Sequence, residues 1–155
     1  MAVQDKIIRR PLKSRDTVWA RAVAGYLARA GVRPNVISVT SMVFAALAGV
    51  CFALGSQVAF DWRWSILLIL AACGIQLRLL CNLLDGMVAI EGGFKTKTGE
   101  MFNELPDRLS DAFIFVGAAY MMPSLAWMLE LGWTAAVLAI ITSYGPVQKQ
   151  FRVFW

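Results

Sequence analysis

The sequence predicts an all-α, polytopic transmembrane bundle of about four spans, preceded by an amphipathic helix on the membrane surface. Three observations predict it. The chain is 59% hydrophobic and only 16% charged, which is too apolar for a soluble domain of this size. From Pro34 to Phe60 there is no charged residue, whereas about 20 apolar residues suffice to cross a bilayer. Further apolar segments follow, bounded by Trp, Gly and Pro, the residues that mark interfaces and helix ends. The chain thus divides into a basic arm with a juxtamembrane helix over 1–33, a membrane domain over 34–145 and a short tail over 146–155.

In chain order, Lys6, Arg9, Arg10, Lys13 and Arg15 form a charged arm interrupted by Pro11. Val18, Trp19, Ala22, Val23, Tyr26 and Leu27 then recur at helical spacing among Arg21 and Arg29, the pattern of a helix lying along a membrane surface. Arg33-Pro34-Asn35 turns the chain into the first span, expected over Val36 to Leu54. Trp62 and Trp64 sit at an interface, and the second segment runs from Trp64 to Ile90. At 1.5 Å per residue it reaches roughly 40 Å, so its polar end, with Gln76, Arg78, Asn82 and Asp85, emerges at the headgroup level. A third segment is expected from Thr98 or Gly99 to Met122, bent at Pro106. A fourth is expected from Trp127 to Tyr144, closed by Gly145-Pro146.

The composition excludes several chemistries. With no histidine, there are no His triads, His metal sites or imidazole proton shuttles. Cys51, Cys73 and Cys81 lie inside apolar segments and read as small buried residues rather than a disulfide framework. The net charge of +5 does not point to nucleic acid, because eight of the fifteen cationic residues precede the first apolar span, where they answer to anionic lipid. The first apolar segment is too long for the core of a cleavable signal peptide, so none is expected.

The polar exceptions carry the chemistry. Asn82, Asp85 and Ala89 share one helical stripe, and Asn103, Asp107 and Asp111 recur every four residues on the next segment, with Glu100 and Glu104 roughly a quarter turn away. An ionised carboxylate in a span costs about 2.5 to 3.5 kcal/mol even on lenient insertion scales, so it is kept only where something neutralises it. Carboxylate and amide oxygens are hard ligands suited to Mg or Mn, and Mg commonly combines one or two carboxylates with phosphate oxygens of a substrate. The two stripes therefore predict a cation site that also holds a phosphate ester, approached closely at Gly86 and Gly99. The plain alternative is a polar helix–helix contact. Arg78 lies seven residues before Asp85, on nearly the same face, and either pairs with an acid or contacts phosphate. Lys95 and Lys97 suit a loop at an anionic ligand or simply a solvated one.

From Asn82 to Asp107 the chain resembles the CDP-alcohol phosphotransferases, whose pattern D-x2-D-G-x2-A-R-x8-G-x3-D-x3-D it follows without a gap. Asp85, Gly86, Ala89, Gly99 and Asp107 agree; Asn82 and Asn103 stand in place of Asp, and Ile90 in place of Arg. The resemblance implies a membrane enzyme of phospholipid synthesis that moves a phosphatidyl or similar group from a CDP-linked donor, such as CDP-diacylglycerol, to a small alcohol with release of CMP. It implies Mg or Mn held at Asn82, Asp85, Asn103 and Asp107; each asparagine there removes one negative charge, so Asp111 or Glu104 is expected to supply a replacement oxygen. Donor contacts would come from Asn82, Asp85, Gly86, Ala89 and Gly99, with Asp107 as the base. Arg78, Lys95 and Lys97 are candidate phosphate contacts. The family has six spans and this sequence shows four, so a non-catalytic homologue that binds nucleotide or metal as a helical partner is the second reading. A homodimer is compatible with either.

Cations set the expected orientation. The N-terminal arm, Lys95, Lys97, Lys149 and Arg152 fall on one side of a four-span arrangement, against Arg63 alone on the other. By the positive-inside rule both termini and the motif face the cytoplasm of an inner-membrane protein, where a CDP-linked donor is available.

Overall fold

The computed structural model describes residues 17–93 and 97–152, with side chains over 17–93 and 105–142. The described residues form five helices: α1 (Val18–Arg29), α2 (Pro34–Gly55), α3 (Trp62–Glu91), α4 (Lys97–Met121) and α5 (Met128–Arg152). Local chemistry sets most of the boundaries. Gly31, at φ 75°, turns the chain after α1, a conformation glycine adopts without steric cost, and Val32 N–H closes on Leu27 O at 3.0 Å. Pro34 opens α2, where its missing N–H has no intrahelical acceptor in any case. Asp61 caps α3 by accepting from Arg63 N–H at 2.9 Å.

Two of the five, α2 and α3, are long and apolar enough to cross a membrane. The middle of α4 carries Asp107, Arg108 and Asp111, and the apolar part of α5, Met128–Thr142, is shorter. The expected stop at Gly145-Pro146 is not where α5 ends; the helix continues to Arg152. A proline removes one backbone donor and crowds one carbonyl, but Gln148, Lys149 and Gln150 beyond it are good helix formers that carry the helix on. Pro106 likewise lies inside α4 rather than at its end.

The bundle is built around α2, which packs on α3 along one side and α4 along another, while α5 packs on α4 and α1 on α3. The reason α2 can take two partners is the size of its inward residues. Ser38, Ser41, Ala45, Ala48 and Gly49 are buried, whereas Val36, Val39, Val43, Leu47, Val50 and Leu54 are exposed at intervals of three or four. This reverses the usual water-soluble distribution, in which the large apolar side chains go inside.

Small residues let backbones touch. A Cβ added at Gly49 would lie 2.5 Å from the carbonyl oxygen of Phe113, and one at Gly117 would strike the Gly49 backbone. On the other side of α2, a Cβ at Gly74 would lie 3.0 Å from Phe44 O. At the α4–α5 crossing, a Cβ at Gly132 would strike the Ala119 methyl. Where α1 meets the end of α3, Ala20, Ala24, Ile37, Leu84, Met87 and Val88 close an apolar cluster. That cluster lies next to Asp85 and seals one end of the polar interior.

Candidate functional site

The helical stripe expected on α3 faces inward. Asp85 is 6% exposed and Arg78 9%, with Asn82 half-buried between them. Their partners come first from α2. Ser38 Oγ donates to Asp85 Oδ2 at 2.9 Å, and Ser41 Oγ lies 3.0 Å from Asn82 Oδ1. The pairing is antiparallel: three residues forward along α2 corresponds to three residues back along α3. The same register continues to Ala48 and Phe44 against Gly74. A row of hydroxyls therefore faces a row of carboxamide and carboxylate across a contact narrow enough for direct hydrogen bonds.

The second set of partners comes from α4. Arg78 Nη2 meets Asp111 Oδ1 at 2.8 Å and donates to the backbone oxygen of Asp107 at 3.3 Å. Arg108 approaches Asp111 from the same helix at 3.8 Å. The Asp107 carboxylate lies near the Asn82 side chain and in the fields of Arg78, Asp111 and Arg108. Ser110, fully buried one turn beyond Pro106, donates to Pro106 O at 2.8 Å. The acidic side of α4 is thereby joined to the polar stripe of α3 by side chains that reach across.

Of the residues expected to carry the chemistry, Asn82 is brought beside Asp107, while Asp85 lies nearly one turn further along α3 with Ser38 of α2 as its partner. Asp111 joins Asp107 through Arg78 and has an ion pair of its own. Arg78 is committed to these protein groups, although its Nε is buried with no hydrogen-bond partner. Gly86 and Ala89 are half-buried on α3, and Ile90, in the place of an expected arginine, is 54% exposed. Gly99 and Asn103 lie in α4, but their side-chain positions fall outside the described residues, as do the side chains of Glu100, Glu104 and Lys97. Lys95 and the basic arm over 1–15 fall outside them altogether. Sequence reasoning missed Ser38 and Ser41. Their signal was two hydroxyls three residues apart in a largely apolar helix, continued at intervals of four and three by Ala45 and Ala48.

The donor set suits a hard cation in kind. Asp85 and Asp107 offer carboxylates and Asn82 an amide, the first and last of these held on α3 by Ser38 and Ser41 of α2, and a cation of the Mg type needs only one or two carboxylates when a phosphate completes its shell. Asp111 fits less well, because a ligand already neutralised by an arginine at 2.8 Å has little charge left to offer. Among the described residues, no three acidic or cysteine side chains gather around one point, so the amide is an integral part of any such set. Comparison of the chain with protein-family models, with curated proteins and with solved structures finds no match to any of them.

Proposed function

We propose that this chain is a membrane-embedded phosphotransferase of the CDP-alcohol type, with α2, α3, α4 and α5 as its four spans and the α3–α4 polar patch as its site on the cytoplasmic side. The observation that carries the reading is the inward burial of Asp85 beside Asn82, with the α4 carboxylates Asp107 and Asp111 turned toward the same stripe. Acids are kept at such depth for binding or chemistry far more often than for packing. Asn82, Asp85 and Asp107 would hold Mg or Mn, with Asn103 the further ligand that the motif spacing supplies. The bound cation supplies charge neutralisation for the donor's pyrophosphate.

In this reading Asp107 takes the proton from the acceptor hydroxyl, the acceptor oxygen forms the new bond to phosphorus, and the bond between that phosphorus and CMP breaks. Asp85, fixed by Ser38, holds the ligand side of the site. Arg78 keeps α4 in register through Asp111 and the Asp107 carbonyl, so that the base stays opposite the α3 stripe. The inverted distribution of side chains, large and apolar outside, small and polar inside, supports the placement in a bilayer. Membranes containing the protein, given CDP-diacylglycerol, Mg or Mn and candidate alcohols, should release CMP. Asp85→Ala and Asp107→Ala should each lower that release about a hundredfold or more, the usual scale for a lost acid–base or charge-stabilising group. Unchanged release in both variants would remove the assigned roles.

The bilayer placement has its own test. Cys73 is exposed halfway along α3. In lipid its thiol cannot ionise, so in intact membranes it should resist a maleimide that labels it fully once the protein is denatured, and full labelling in the intact membrane would put α3 in water. A second reading, a non-catalytic helical partner that retains nucleotide or metal binding, is favoured by the degree to which Arg78, Ser38 and Ser41 satisfy the polar groups internally. CDP binding without CMP release would select it.

A further inference from the structure

Gln76 stands at the middle of α3, fourteen residues after Trp62 and fifteen before Glu91, and its side chain is exposed. It lies two residues from Gly74 and two from Arg78, which is about 200° around a helix. Those two face the bundle: Gly74 lies against the carbonyl of Phe44 in α2, and Arg78 reaches Asp111 of α4. Gln76 therefore points away from both helices. α1 packs on α3 further along, around Leu84, Met87 and Val88, and the surface about Gln76 is made by Ile69, Ala72, Cys73 and Leu77, all exposed. With Trp62 at the outer interface, Gln76 lies about 21 Å below it and about 9 Å from the opposite edge of a core about 30 Å thick. Neither edge is within reach of two methylenes and an amide. A hydroxyl facing lipid bonds its own helix, as exposed Thr40 does to Val36 O at 2.8 Å. A primary amide has two donor protons and a carbonyl to satisfy, and among the described residues Gln76 makes no hydrogen bond. Unpaired polar groups are costly in hydrocarbon, so this face calls for a partner that brings both a donor and an acceptor to the same depth.

We propose that the partner is a second copy of this chain, paired through the outer faces of the two α3 helices with the Gln76 amides bonded to each other. An amide is its own complement, because the carbonyl of one accepts from the NH2 of the other in a reciprocal pair of bonds. A carboxylate or an ammonium could not pair with its like. Both copies insert with the same orientation, so the axis relating them runs along the membrane normal and sets equal residues at equal depth, the isologous arrangement of a two-fold dimer. Gln76 thus meets Gln76. Ala72 and Cys73, about one turn before it on the same face, are small enough to let the two backbones come within reach of the amides. The pairing rests on α3 crossing the bilayer and is independent of the chemistry proposed for Asp85 and Asp107, because the bundle side of α3 carries those groups and the opposite side carries Gln76.

The test is energy transfer between two pools of the full chain, carrying donor and acceptor dyes on a C-terminal tag, mixed in phosphatidylcholine liposomes and diluted with lipid. The wild type should show transfer above random proximity that falls with dilution, as a reversible dimer requires. Gln76→Leu, an apolar change on a lipid-facing surface with an unchanged melting curve, should weaken association about tenfold, the scale of interhelical amide bonds in membranes. Gln76→Asn keeps the amide and should lose less than about threefold. Leu47→Ala, on the exposed face of α2, should leave association as it is. The face is read separately by copper-phenanthroline oxidation in membranes. With Cys51→Ala, Cys73→Ala and Cys81→Ala in place, Ala72→Cys should form a disulfide-linked dimer and Val43→Cys, on the outer face of α2, should not. Absence of transfer in the wild type at every protein-to-lipid ratio, association of Gln76→Leu as tight as the wild type, or a cross-link at Val43→Cys in place of Ala72→Cys overturns the pairing. Pairing that depends on Gln76 in a protein that releases no CMP supports the dimer and counts against the proposed chemistry alone.

Discussion

Gly117→Val is expected to abolish the native bundle, or to lower its stability by about 3 kcal/mol or more, the upper part of the range for overpacked cores. The reason is what the new side chain would meet. A Cβ at position 117 falls on the Cα and carbonyl of Gly49, and one at position 49 falls 2.5 Å from the carbonyl oxygen of Phe113. Both obstacles are helix backbone, which cannot rotate away as a side chain can. Relief requires α2 and α4 to separate, and separation at this crossing would loosen the bundle further, because α5 packs on α4. Gly49→Leu should fail in the same way. Leu47→Ala, on the 54% exposed outer face of the same helix, is the control and should change stability by less than about 1 kcal/mol. Thermal melts in detergent, followed by circular dichroism and by retention on size exclusion, decide it. A melting curve for Gly117→Val that superimposes on the wild type would mean that the two helices do not cross there.

Much of this arrangement could be read before any coordinates. The charge-free run begins at Pro34 where α2 does, the Trp64 to Ile90 segment is α3 to within two residues at its start and one at its end, and the spacing of Arg78, Asn82 and Asp85 puts them on one face because helical periodicity leaves no other choice. What periodicity cannot supply is the identity of the facing helix. Two acidic stripes on consecutive segments suggest that α3 and α4 lie directly against each other; instead α2 lies between much of their length, and Ser38 and Ser41 take the first contacts with Asp85 and Asn82. A serine in an apolar helix gives little warning of this, since its own helix always offers it a backbone acceptor, as Pro34 O at 3.2 Å does for Ser38. The partner of Arg78 was open for the same reason. An acid and a phosphate are equivalent to a guanidinium until tertiary structure brings one of them near. At Gly145-Pro146 two residues that usually end helices failed to end α5, because the lost hydrogen bond is a local cost that the flanking residues can outweigh.

The Arg78–Asp111 contact predicts an asymmetry between its two halves. Arg78 is buried, with a side chain 10% exposed, and its charge is met by one carboxylate and one backbone carbonyl. Asp111 is 27% exposed and has Arg108 at 3.8 Å as a second cation. Asp111→Ala therefore strands a buried guanidinium and should cost about 3 to 5 kcal/mol, the range for removing one partner of a buried ion pair. Arg78→Met leaves a partly exposed carboxylate with Arg108 and solvent, and fills the space of the arginine stem, so it should cost about 1 kcal/mol. The double variant should be more stable than Asp111→Ala alone, because removing the arginine removes the group that was stranded. Equal costs for the two single changes would mean that Arg78 finds another partner. If the order holds, CMP release offers a further distinction. Arg78→Met retains a folded bundle but frees α4 from α3 at the Asp107 carbonyl, so a base held in place by that contact loses turnover out of proportion to the small loss of stability. A base held by Asn82 alone would not.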